Sequence, residues 1–169
     1  MWRYASVEMG GRGATQAWVY NDGTDTIDPN WRAGDLTSPP ISIPANGPYY
    51  LRFAYYADVE DGGSFWDQRR IQILDGGKFT DLIQLTEDKH VEQLWLDSGP
   101  ISLARYAGKT IRLRFHFDTV DEERNAGKGW AIDNIRVTKD APDSSCVDKN
   151  NTPATAQSIA LESTVTGTI

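Results

Sequence analysis

Residues 109–138, KTIRLRFHFDTVDEERNAGKGWAIDNIRVT, decide the fold. The first part alternates: Ile111, Leu113, Phe115 and Phe117 on one side, Arg112, Arg114, His116 and Asp118 on the other. A period of two is the signature of a strand with one buried and one wetter face. An acidic loop with glycines follows, and then a second strand over residues 130–137. There Ala131, Asp133, Ile135 and Val137 are expected to share a side. A carboxylate on the apolar side of a strand is costly unless it is protonated, hydrogen-bonded or bound to a cation. Asp133 is therefore a candidate for a fixed structural partner.

Working outward, further short strands are expected over residues 2–8, 15–20, 49–57, 67–74, 79–85, 93–97 and 101–107. Asp75-Gly76-Gly77 reads as a hairpin turn. Residues 102–107 have room for one helical turn. Pro39, Pro40, Pro44 and Pro48 confine any strand between Leu36 and Tyr50 to a short piece or an edge. No stretch holds a helical period of useful length. About ten strands separated by Gly, Asp and Pro turns imply an all-β protein, an antiparallel jelly-roll β-sandwich.

The motifs YAGKTIRLRFHFDT and GWAIDNIRV, with LTSPPI and YLRFAYY upstream, resemble MAM-like jelly-roll modules with a concanavalin A-like β-sandwich. The resemblance covers residues 2–138 and implies a module appended to secreted proteins and peptidases. It also implies a structural calcium ion held partly by an aspartate matching Asp133. An acidic residue ahead of the first tryptophan completes that site in the family, and here Trp2 has only Met1 before it. After Thr138 the composition changes. Residues 140–145 (DAPDSS) read as a linker, and DKNNTPATAQ within 146–169 resembles the opening of a pre-peptidase C-terminal domain. The 24 residues after the linker are too few to bury a core of their own. The expected division is a module at 1–139, a linker, and a truncated second module cut from a longer secreted chain.

Composition excludes some classes. Hydrophobic residues are 39% and charged residues 24%, as in ordinary globular domains. The net charge of −7 comes with no basic cluster, against nucleic acid as a partner. No apolar run is long enough for a membrane span. The Met1-Trp2-Arg3 start lacks the apolar run of a secretion signal, which fits either a cytosolic protein or an excised piece of a secreted one. The tail favours a secreted, extracellular parent. Cys146 has no internal partner for a disulfide.

Motifs for zinc hydrolysis, serine nucleophiles and nucleotide phosphates are absent, so no enzyme is expected. His116 pairs on paper with Asp118 as a base, with no nucleophile indicated nearby. Asp22, Asp25 and Asp28 lack the alternate-residue spacing of a calcium loop.

Two acidic loops share a layout. Asp58, Glu60 and Asp61 lie in one, Asp118, Asp121, Glu122 and Glu123 in the other. Neighbouring carboxylates raise one another's pKa unless a cation such as calcium intervenes. Asp133, Asp67, Asp58 and Asp118 are thus the candidate metal ligands, Asp67 because it shares a side with Ile71 and Ile73. The alternatives are solvated loops and, for Asp133, hydrogen bonds within the fold. Arg52, Tyr56, Arg112, Arg114 and His116 are candidates for a ligand-binding polar sheet face, with Trp66 and Trp95 among possible aromatic platforms. The expected function is a non-catalytic accessory, adhesion or interaction module of a secreted multidomain bacterial protein of peptidase type, whose partners are neighbouring domains or a protein surface. The alternative is a carbohydrate-binding module that takes polysaccharide on that face.

Overall fold

A computed structural model describes residues 1–7, 15–21, 32–60, 65–85, 94–125 and 127–139. The loop bearing Asp22, Asp25 and Asp28, the linker, the tail and Cys146 lie outside them. Among the described residues eleven strands form two antiparallel sheets. One sheet runs β1 (Trp2–Val7), β2 (Thr15–Tyr20), β11 (Gly129–Thr138) and β5 (Tyr50–Asp58). The short β8 (Leu96–Asp97) and β9 (Ile101–Ser102) both pair with β5. The other runs β3 (Ala33–Thr37), β10 (Thr110–Asp118), β6 (Gln68–Asp75) and β7 (Lys78–Leu85), with β4 (Ile41–Ser42) also on β10. The proline-rich segment thus yields two short strands. Ala104–Tyr106 makes the single helical turn, a 3₁₀ one. Among the described residues no helix is long and apolar enough to cross a membrane.

The core lies between the sheets. Leu51, Phe53, Tyr55 and Ala57 of β5 face Ile111, Leu113, Phe115 and Phe117 of β10 and Ile71 and Ile73 of β6. Phe53 meets Phe115 edge-on with centroids 5.2 Å apart. Trp130 lies 5.3 Å from Trp2 and 6.0 Å from Phe115. Such aromatic pairs add about 0.5–1.5 kcal/mol each beyond the area they bury. Trp2 Nε1 also donates to the Gly34 carbonyl at 3.1 Å, tying the first strand of one sheet to the other.

The register of β11 departs from plain alternation. Trp130 and Ile132 point into the core, while Ala131 belongs to a second small cluster with Val7, Ala17, Val19 and Tyr56. The pairing with β5 then slips by one residue between Asp133 and Arg136, where Asn134 has φ 52°. One extra residue in a strand reverses which side chains face inward. Val137 therefore joins the core, and Asp133 does not share its side. The expected single apolar side of this strand was wrong because a bulge divides it.

Candidate functional site

The outer face of the five-stranded sheet carries a continuous polar network, and register explains why. His116 stands opposite Asp35 on one side and Arg70 on the other; Arg114 stands opposite Gln72, which stands opposite Asp81. The four even-numbered positions of β6 and β10 in that row, Arg70, Gln72, Arg114 and His116, point away from Ile71, Ile73, Phe115 and Phe117. His116 Nδ1 lies 2.6 Å from Asp35 Oδ1, and Arg114 Nη1 donates to Asp35 Oδ2 at 3.1 Å. Arg114 Nε donates to Gln72 Oε1 at 2.6 Å. Gln72 Nε2 and Arg70 Nη1 donate to the two oxygens of Asp81 at 2.6 and 3.1 Å.

Two carboxylates thus bracket a row of planar donors across four strands. The Arg114 guanidinium lies 3.5 Å from the centroid of the Phe79 ring, a cation–π contact that helps to hold it in place. Arg112 is on the same face but turns to the Ser38 carbonyl at 3.3 Å. It borders a shallow depression of about 230 Å³ by Leu74 and Gly77. His116 pairs with Asp35, 81 residues away, rather than with Asp118 as the strand alone suggested.

Arg52 and Tyr56 are not part of this face. They lie on β5, in the other sheet. Arg52 donates to Asp97 Oδ1 at 2.8 Å, and Tyr56 is 1% exposed, packed against Trp95. Alternation tells which side of a strand a residue takes, not which sheet the strand joins, so the five expected residues divide into two groups. Asp35, Arg70, Gln72, Phe79 and Asp81 were missed. The alternation of Gln68, Arg70 and Gln72 against Ile71 and Ile73 was the signal for two of them.

The acidic loops do meet, though β5 and β10 are not neighbours in a sheet. They face each other across the core, and the β10–β11 loop returns to pair Gly129 with Asp58. Asp58 Oδ2 accepts the Lys128 N–H at 3.1 Å. Asp118 Oδ1 accepts that of Val120 at 2.9 Å, and Asp121 Oδ1 that of Glu123 at 2.8 Å. Asp118 and Asp121 thus cap their own loop, while Asp58 ties the end of β5 to the β10–β11 loop.

Asp67 behaves differently: it is 0% exposed and its backbone is in the left-handed region, φ 39°. Its Oδ2 accepts the Glu60 N–H at 2.5 Å, and its Oδ1 has no partner among the described residues. Burial pushes its carboxyl up to about 7, with the nearby charges of Glu60 and Asp121 in the same direction and the Glu60 N–H and Arg69 opposing. Glu60 is also raised, by burial first and then by Asp121 and Glu123, against Arg124 at 3.7 Å.

Asp133 stands apart from this end, opposite Ala54 in the middle of a sheet. It is half-buried, and its Oδ1 accepts the Asn134 N–H at 2.7 Å. That bond caps the bulge. Among the described residues no three His, Cys, Asp or Glu side chains form a metal cage.

No protein-family description and no curated protein matches the chain. Among solved structures, that of TmCBM61 in complex with β-1,4-galactotriose is similar at a TM-score of 0.42 and 14% identity, over 82% of this chain and 88% of that one.

Proposed function

We propose that this chain is a non-catalytic carbohydrate-binding module that takes a polysaccharide on the outer face of its five-stranded sheet. One observation carries the reading: Asp35, Arg70, Gln72, Asp81, Arg114 and His116 form one solvent-facing array on adjacent strands. A sugar hydroxyl both donates and accepts, so its site needs planar donors beside carboxylate acceptors. This face has both, and the sheet holds them without the ordering cost of loops. The flat guanidinium on Phe79 is a surface against which a pyranose ring can lie.

The MAM-like motifs and the TPATAQ stretch support a place in a secreted, multidomain, peptidase-type parent, with the module outside the cell. A second role, contact with a neighbouring domain, is favoured by Phe65 and Trp66, adjacent and 71% and 39% exposed. Affinity gel electrophoresis against soluble galactan, xylan, glucan and mannan tests the main reading. Retardation by at least one polymer, lost in Arg114→Ala, is expected. Free migration on every polymer, or retardation unchanged in Arg114→Ala and in Gln72→Ala, overturns it.

A further inference from the structure

Three buried oxygens at the loop end of the sandwich lack any donor among the described residues. They are Glu60 Oε2 just after β5, Asp67 Oδ1 just before β6, and Asn125 Oδ1 in the β10–β11 loop. Asp67 is 0% and Asn125 4% exposed. A buried acceptor left unmade is expensive, more so when it is charged, and native folds rarely keep several together.

The three segments are held against one another. Asp67 takes the Glu60 N–H, Arg124 reaches Glu60, and Asn125 Nδ2 donates to the Asp121 carbonyl at 2.9 Å. That last bond fixes the Asn125 amide so that its oxygen, not its nitrogen, is the unpartnered atom. Gly127 lies so close to the Asp58 carbonyl that a Cβ there would collide with it, so the loop is pressed onto the end of β5.

We propose that Glu60, Asp67 and Asn125 are side-chain ligands of a calcium ion bound between the β5–β6 and β10–β11 loops. One hard cation satisfies all three oxygens at once, where water or a side-chain donor would have to satisfy each. Two carboxylates and a carboxamide are the donor set calcium prefers, with water and backbone carbonyls completing six to eight ligands. Arg69 and Arg124 offset part of the negative charge, and Asp121 adds to it from the rim. This site is separate from Asp133, which the family resemblance nominates.

Isothermal titration of calcium chloride into the chelator-stripped full chain is the test. A single saturable site is expected in the wild type. Asp67→Asn and Asn125→Ala should each weaken it by at least the roughly tenfold that even outer partners of a metal site contribute. Asp133→Asn should bind as the wild type does. Near-ultraviolet circular dichroism confirms folding, and should Asp67→Asn not fold, the loop variant Asn125→Ala decides. No binding by the wild type, binding undiminished in Asn125→Ala, or binding lost in a folded Asp133→Asn overturns the proposal.

Discussion

Asp67 makes the stability of the metal-free protein depend on pH in a direction opposite to that of most carboxylates. Its carboxyl rises from an ordinary 3.8 to about 7 in the fold. Between those values the native state holds a proton that the unfolded chain has released. The stabilisation is therefore complete below the unfolded value and is lost as pH rises through the folded one. The whole shift corresponds to about 4 kcal/mol at 1.36 kcal/mol per unit, an upper bound for a group without solvent contact. From pH 5.5 to 8 the part lost is about 2 kcal/mol. For a chain of this size that is about 4–8 °C in melting temperature. Thermal unfolding followed by circular dichroism in chelator-treated buffers should thus give a higher melting temperature at pH 5.5 than at pH 8. Asp67→Asn, which is uncharged throughout, should flatten the difference. A wild-type melting temperature that is level or rises from pH 5.5 to 8, or an unchanged slope in Asp67→Asn, would refute the reasoning.

Asp35→Ala removes two exposed cross-strand contacts, so it should cost below about 1 kcal/mol in denaturant melts while abolishing polysaccharide retardation. Gly129→Ala should cost about 3 kcal/mol or more, since Gly129 has φ 93° and a Cβ there would strike the Tyr20 carbonyl; urea titration measures it. No turnover of peptide, ester or glycoside substrates is expected, because His116 is bonded to Asp35 and, among the described residues, no nucleophile is bonded to it; turnover lost in His116→Ala would contradict this.

The strands were legible where one face alone is buried. In β10 every odd residue from Ile111 to Phe117 enters the core and the even ones remain outside, so alternation gave both the strand and its sides. In β5 the same reasoning misled. Ala54 and Tyr56 are buried on the outer face as well, which hides the difference between a wet and a covered side. Asp133 was misjudged for a different reason. A bulge is a matter of pairing with β5, and a single strand's sequence does not record its partner's register. The polar face was half legible for the same cause: Arg114 and His116 were visible on β10, but Asp35 and Asp81 come from strands joined to it only by folding. At the acidic end, the burial of Asp67 was legible from its parity with Ile71 and Ile73. Nothing local marked Asn125, whose burial depends on where its loop lands.

The two sites lie close to β6, one just before it and one on its outer face, yet should act independently. Arg69, Ile71 and Ile73 face inward along this strand and Asp67, immediately before it, is buried, while Gln68, Arg70 and Gln72 face outward. Asp67 and Gln72 are therefore on opposite sides of the sheet and, at about 3.3 Å per residue, roughly 17 Å apart along the strand. Between them the backbone is pinned on both flanks, by continuous pairing to β10 from Gln68 to Leu74 and by β7. The slip in the β6–β7 pairing skips Leu82 of β7 and leaves β6 regular. A change of charge at Asp67 consequently has no soft segment through which to move Arg70 or Gln72. Asp67→Asn should lower calcium affinity and alter the pH dependence of melting while leaving retardation by the bound polysaccharide within about twofold, a difference of about 0.4 kcal/mol. Gln72→Ala should do the reverse. Loss of polysaccharide binding in a folded Asp67→Asn protein would mean that the loop end and the sheet face are one coupled site, and that the rigidity assigned to β6 is wrong.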